Sequence, residues 1–277
     1  MKFTKMHGTG NDYIYVNGFE EAVENKPELA IRLSDRHFGI GSDGMIFINP
    51  SDKADFEMEM YNADGSRGKM CGNGIRCVGK YVYDNSLTDK TDITVETLAG
   101  IKTLKLHVKD GKVDTVRVNM GAPEFEPSRI PVALPGERIV SESVTIDEEE
   151  YLITCVSMGN PHAVIFVSDT DSLELEKLGP LFENNSIFPD RVNTEFVEVI
   201  DRTHLKMRVW ERGSGETFAC GTGACAVLAA AVLNEKSENT STLILRGGEL
   251  NIEWSRESGD IFMTGPAETV FTGEVSV

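Results

Sequence analysis

The sequence predicts an α+β fold built from two copies of one unit, and three observations carry that prediction. A Cys-Gly-x-Gly turn followed by an apolar, helix-like run occurs twice, as MCGNGIRCVG (Met70–Gly79) and ACGTGACAVL (Ala219–Leu228). The two motif cysteines, Cys71 and Cys220, stand 149 residues apart, and the same offset brings other segments into register. Segments of strand period outnumber helical ones and show no steady βαβ alternation, which favours α+β over a doubly wound sheet.

Taken in order, Gly10-Asn11 falls on Gly159-Asn160 at this offset, and each pair is followed by a strand, Asp12–Val16 or His162–Val167. A helix comes next, Pro27–His37 in one copy and Leu173–Glu183 in the other, and then a strand, Gly44–Ile48 or Glu195–Val199. FEMEMYN (Phe56–Asn62) falls on LKMRVWE (Leu205–Glu211), both apolar at every second position as half-buried strands are. The segments Asn62–Lys69 and Glu211–Phe218 are rich in Gly, Ser and charge and read as loops. Each leads into Cys-Gly-x-Gly and its helix, and each copy closes with strands and a Gly/Pro break, VRVNMGAP or IFMTGPA. A register held through five elements implies a duplication related by a pseudo-two-fold axis. The expected domains are residues 1–118, with a C-terminal strand at 266–277 returning to them, and residues 119–265. Between the copies, Glu124–Glu150 is rich in Pro, Ser and acid, and its alternating ESVTID reads as a strand.

Composition bounds the function. Over 277 residues the formal net charge is −18, so a nucleic-acid backbone or an anionic membrane would be repelled. The opening MKFTKMHGTGND lacks the apolar core of an export signal, and the longest apolar run, Ala224–Leu233, is too short to span a bilayer. Five cysteines without a C-x-x-C pair suggest free thiols in a reducing cytoplasm.

A cysteine at a helix start sits among unpaired backbone N–H groups and partial positive charge, which favours its thiolate. The same N–H groups hold a carboxylate, and the glycines allow close approach. A single such motif is as well explained by a small buried cysteine. Two of them, facing each other across a cleft between pseudo-symmetric halves, fit stereoinversion: one thiolate removes an α-proton and one thiol protonates the opposite face. An ordinary thiol pKa of about 8.5 suits both roles. Without a pyridoxal site near either motif, the carbanion would depend on preorganised dipoles at the two helix starts.

The strings HGTGNDYI, GIGSDG, YNADGSRGKMCGNGIRCVG, MGNPHAV, RVNTEF and WERGSGETFACGTGACA resemble the diaminopimelate epimerases along essentially the whole chain. These enzymes interconvert LL- and meso-diaminopimelate in lysine and cell-wall biosynthesis without a cofactor. Proline racemases and phenazine-pathway isomerases share the duplicated fold but match the strings less well. The resemblance implies two α+β domains, each a barrel-like sheet around a central helix, with the active-site cleft between them. It implies that Cys71 is the proton donor and Cys220 the acceptor in the LL-to-meso direction, with His162 and Glu211 as the polar pair beside the reacting centre. Asn11, Asn62, Asn160 and Asn193 match substrate-binding positions. Gly72 and Asn73, with Gly221 and Thr222, match the two carboxylate cradles, and Arg212 matches the holder of the distal carboxylate. No metal and no cofactor are implied, and the partners are a small-molecule substrate and a second copy in a homodimer. Gly44 stands where some members carry glutamine, so a side-chain contact is lost there. Phe271 stands where many have a dimer-contact tyrosine.

The residues by themselves leave some of this open. His162 is equally a satisfied strand histidine, and Glu211 and Arg212 are equally a solvated pair, although their offset from Cys220 favours function. Cys77, Cys155 and Cys225 read as packing. Racemisation of another amino acid, as in proline racemases, and a thiol redox or metal-binding module are the alternative functions.

Overall fold

The duplication appears in the architecture helix for helix. The computed structural model describes Met1–Val277, and the chain divides into two units, Met1–Asn119 with Thr264–Val277, and Met120–Met263.

In the first unit, β1 (Lys2–Gly8) and β2 (Asn11–Asn17) form an antiparallel hairpin. Its turn, Thr9-Gly10, takes positive φ at both residues, which the glycine accepts without strain. Helix α1 (Lys26–Ser34) has Pro27 in its first turn, where no N–H is needed. It stops three residues before the expected His37. The Asp35 carboxylate accepts the backbone N–H groups of His37 and Phe38, both at 2.7 Å, and this local turn replaces helix bonds. The crossover through α1 makes β3 (Gly44–Asn49) parallel to β2. β4 (Phe56–Asn62) then runs antiparallel to β3. After β5 (Arg67–Gly68) and α2 (Gly72–Asp84), a meander of β6 (Asp92–Thr97), β7 (Gly100–Lys109) and β8 (Lys112–Gly121) follows, with β6 parallel to β4.

The second unit repeats the plan. β9 (Glu142–Ile146) lies antiparallel on β10 (Glu149–Ser157), and β10 on β11 (Pro161–Val167). Helix α3 (Leu175–Glu183) crosses to β12 (Asn193–Asp201), parallel to β11. β13 (His204–Glu211), β14 (Gly215–Thr217), α4 (Gly221–Leu233), β15 (Thr240–Leu245) and β16 (Gly248–Trp254) complete it. Helices α1 and α3, and likewise α2 and α4, begin and end at the 149-residue offset. β17 (Ile261–Pro266) leads to β18 (Glu268–Glu274), which pairs antiparallel with β1. β18 therefore holds in the first unit the place that β9 holds in the second.

Two short strands fall inside segments that read as loops. β5 pairs with β4, and β14 with β13, over two and three residue pairs. Their Gly, Ser and charged residues carry no alternation, and pairing follows from the tight reversal just before them.

Alternation along β2 and β3 explains why both faces are covered. Ile14, Val16, Met45 and Phe47 pack with Leu29, Ala30 and Leu33 of α1. On the opposite face, Ile46 and Met58 lie against the start of α2, at Gly74. Helix α4 is buried on every side, from Ala224 to Ala231, and packs against β10, β11, β12, β15 and β16. A helix apolar all round needs such a surround. Each fully buried Val or Leu along it contributes about 1.5–3 kcal/mol. No helix is long and apolar enough to cross a membrane.

Candidate active site

Each motif cysteine is the N-cap of its helix. Cys71 has extended backbone angles, and its Sγ accepts the N–H of Gly74 at 3.3 Å. Cys220 does the same with Gly223 at 3.4 Å. The sulfur takes the place that a serine or aspartate oxygen usually fills. Gly72 and Asn73 open α2, and Gly221 and Thr222 open α4, so their backbone N–H groups are among those that a helix leaves without internal partners.

In the first unit, the Cys71 thiol donates to Asn11 Oδ1 at 3.1 Å, and Asn11 Nδ2 donates to Asp43 Oδ2 at 2.7 Å. Asp43 also accepts the N–H of Asp12 at 3.0 Å, and Arg36 Nη2 reaches Asp12 at 2.8 Å and Asp43 at 2.9 Å. Lys5 pairs with Asp12. Burial works against the charge of Asp12, but the hydrogen bonds of Arg36 and Lys5 outweigh it and hold its pKa low. Burial, with the neighbouring Asp12 charge, lifts that of Asp43. Buried Asn73 accepts from Arg76 Nη1 at 2.9 Å and from Thr9 at 3.4 Å, so its side chain is bound into the scaffold. Arg76 is wholly buried and also donates to Gly72 O at 3.2 Å and to Pro266 O at 3.1 Å. Burial raises the Tyr13 phenol well above its ordinary pKa, and its hydrogen-bonded neighbour Cys71 adds to this. Asn62 donates to Ser66 Oγ at 2.9 Å and braces the β4–β5 turn. At Gly44 a Cβ would meet Tyr61 O at 2.1 Å and Tyr13 Cε1 at 2.9 Å, so this backbone has no room for a side chain.

In the second unit, His162 and Glu195 are fully buried with Nδ1 to Oε1 at 2.6 Å. His162 Nε2 lies 3.1 Å from Asn160 Oδ1, and Asn160 Nδ2 donates to Thr222 Oγ1 at 3.3 Å. Thr222 Oγ1 is 3.5 Å from Cys220 Sγ. Glu211 accepts Thr217 Oγ1 at 2.5 Å and the Cys220 thiol. Burial raises Glu211 despite these two donors. Burial, then the charges of Glu211 and Glu195, hold the Cys220 thiol well above its ordinary pKa. Asn193 is buried and accepts the backbone N–H of Arg212 at 2.8 Å, while Arg212 Nη1 donates to Asp190 O at 2.8 Å and the side chain is otherwise exposed.

The expected residues thus gather in three sets. Asn11, Cys71 and Asn73 join in the first unit; Asn160, His162, Glu211, Cys220 and Thr222 in the second; Asn193 and Arg212 hold each other. Asn62 stands with Ser66. Sequence reading missed Tyr13, Asp43, Arg76 and Glu195. For Glu195 a signal existed: an acidic residue at an inward position of the apolar strand NTEFVEV. No group of three or more His, Cys, Asp or Glu side chains is arranged to hold a metal ion.

The fold is shared with solved structures of low sequence identity. A phenazine biosynthesis protein of the PhzF family from Bacillus anthracis superposes with a TM-score of 0.71 at 18% identity, covering 100% of this chain and 99% of that one. A probable proline racemase from Agrobacterium radiobacter superposes at 0.72 and 15% identity, covering 100% and 93%. At such identities the likeness is one of fold. The sequence profile of diaminopimelate epimerase matches residues 3–126 and 154–270. Diaminopimelate epimerases from Acetivibrio thermocellus and Agathobacter rectalis are 61% and 58% identical, each covering 100% of this chain, which in turn covers 99% and 100% of them. One from Methanococcus maripaludis is 55% identical over the full length of both chains. The chain belongs to the diaminopimelate epimerase family.

Proposed function

We propose that the protein interconverts LL- and meso-diaminopimelate by a two-base mechanism, supplying lysine and peptidoglycan precursors. One thiolate takes the α-proton as the C–H bond breaks, and the electron pair stays on the α-carbon. The other cysteine's S–H then protonates the opposite face, so the two sulfurs exchange protonation states in each turnover. Cys71 donates and Cys220 accepts in the LL-to-meso direction. The carbanion's charge spreads into the α-carboxylate, where the N–H groups of Gly72, Asn73, Gly221 and Thr222 stabilise it. Asn11, Asn62, Asn160 and Asn193 read the ammonium and carboxylate groups, since an amide both donates and accepts. Arg212 takes the distal carboxylate with its fork of donors. His162 and Glu211 tune the proton of Cys220.

The observation that supports this reading most is the equivalence of the two thiols: each caps its helix through the third amide, in the same backbone conformation. A thiol redox module has no need of matched helix starts. The protein works in the cytoplasm, whose reducing chemistry keeps its five thiols free. It works as a homodimer, for which the exposed Val270 and Phe271 of β18 are the candidate contact.

The test is proton exchange in deuterated water with LL-diaminopimelate, for wild type and for Cys71→Ser and Cys220→Ser. Wild type places one deuterium at the inverted centre. Each variant loses about 10²–10⁴-fold in rate. Unchanged epimerisation in either variant ends the two-base reading, and turnover of proline rather than diaminopimelate ends the substrate reading.

A further inference from the structure

At the 149-residue offset the two cysteine sites share a scaffold but not its chemistry. His162 stands where the first copy has Tyr13, Glu195 where it has Ile46, and Glu211 where it has Asn62. The first-turn glycines register the match in space. A Cβ on Gly74 would lie 2.8 Å from Ile46 Cδ1, and a Cβ on Gly223 would lie 2.6 Å from Glu195 Oε1. Glu195 thus puts a carboxylate where its counterpart puts a methyl group. It has no solvent exposure, and its Oε2 has no hydrogen-bond partner. Ile46 shows that packing at this position does not require a carboxylate, and burying one is costly unless it is paired. Its one partner is His162.

We propose that Glu195 is a positioning residue of the epimerisation: it fixes His162 with a proton on Nδ1 and leaves Nε2 as the nitrogen that faces Asn160 and, beyond it, Cys220. A carboxylate only accepts, so at 2.6 Å the shared proton belongs to Nδ1. From Nε2 the polar contacts run through Asn160 and Thr222 to the Cys220 sulfur. The groups that bear on this ring are Glu195 from β12, Glu211 from the end of β13 and Cys220 from the start of α4, and Cys155 on β10 senses the Glu195 charge. Of these, Glu195 alone is hydrogen-bonded to Nδ1. This assignment rests on the reading of Cys220 as an acid/base thiol.

The experiment compares wild type with Glu195→Gln and Glu195→Ile, the second copying the first unit's solution. Histidine side-chain nitrogens are followed by ¹⁵N NMR against pH, with His162 identified by its absence in His162→Gln. In wild type Nδ1 stays protonated throughout, and the tautomer does not change. In Glu195→Gln the fixed Nδ1 protonation of His162 is lost, and the pH profile of kcat/KM changes with it. kcat falls about 100-fold and KM stays within about threefold. Glu195→Ile loses at least as much kcat while remaining folded. A wild-type His162 protonated on Nε2 alone overturns the proposal, as does a Gln variant with an unmoved spectrum and pH profile. Losses that merely track the fraction of folded protein overturn it too. If wild type shows the predicted spectrum but does not epimerise diaminopimelate, the tautomer assignment holds and the reading of the reaction falls.

Discussion

Glu183 Oε2, at the end of α3, accepts the indole N–H of Trp210 at 2.7 Å. Its Oε1 accepts Arg191 Nη1 and the backbone N–H of Gly213, both at 2.9 Å. One carboxylate therefore grips both sides of the turn that carries Glu211 and Arg212. Glu183→Ala is expected to cost about 1 kcal/mol by urea unfolding, since it leaves the part-buried Trp210 indole N–H without its acceptor. The KM for diaminopimelate should rise more than kcat falls. A variant with wild-type KM would show that this grip does not position Arg212.

The same tryptophan leaves no room above it. A Cβ on Gly179 of α3 would come within 2.2 Å of Trp210 Cδ2. Gly179→Ala is expected to destabilise by about 1–3 kcal/mol, although alanine is the better helix former. A thermal melt at or above that of wild type would contradict the close packing.

Cys220 is held up first by burial and then by the charge of Glu211. Glu211→Gln removes that charge, so the thiol should ionise at lower pH. The measurement is thiolate absorbance against pH, taken as the difference between proteins with and without Cys220→Ser. A midpoint that stays put or moves upward would rule out Glu211 as a neighbour of the sulfur.

Burial in the first unit raises Cys77 from 9.0 to about 11, against the opposing hydrogen bond of Tyr15. The folded state keeps this thiol neutral, while the unfolded chain ionises it near its ordinary value. The stabilisation is complete below about pH 9 and is lost as pH rises toward 11, on the order of 3 kcal/mol in all. Cys77→Ala should be less stable than wild type at pH 7.5 yet lose less between there and pH 10.5. Equal alkaline losses in the two proteins would show that Cys77 is not the source.

Arg212 offers its guanidinium to solvent from a backbone anchored on Asn193. Arg212→Met is expected to raise KM about 10–100-fold, the range for losing a charged hydrogen-bonded pair. Stability should be unchanged, because the side chain makes one hydrogen bond, to the Asp190 carbonyl. Wild-type KM would remove Arg212 from the substrate contacts.

The repeat was legible because it is written in local signals. Gly-rich turns, alternating strands and the cysteine caps recur at one spacing, and α2 and α4 coincide at that spacing to the residue. The family strings rest on the same segments. The partners were hidden where a side chain's surroundings come from far along the chain. Asp43 reaches Asn11 across 32 residues, and Glu195 reaches His162 across 33. In sequence each is an ordinary acidic residue, and only the parallel pairing of β2 with β3, and of β11 with β12, brings them to their partners. Nothing in the sequence around Arg76 names its partners, yet Thr9, Asn73 and Pro266 enclose it. β5 and β14 escaped because two or three backbone pairs leave no periodic trace.

The pairing of β18 with β1 sets an order of events during synthesis. All strands of the second unit through β16 have been made before β18 exists, whereas the first unit, though translated earlier, lacks a partner for one edge of β1 until then. On the ribosome the later-translated half can therefore close first. The Cys71 half stays open along one edge and acquires its last strand only after the strands of the other half have been made.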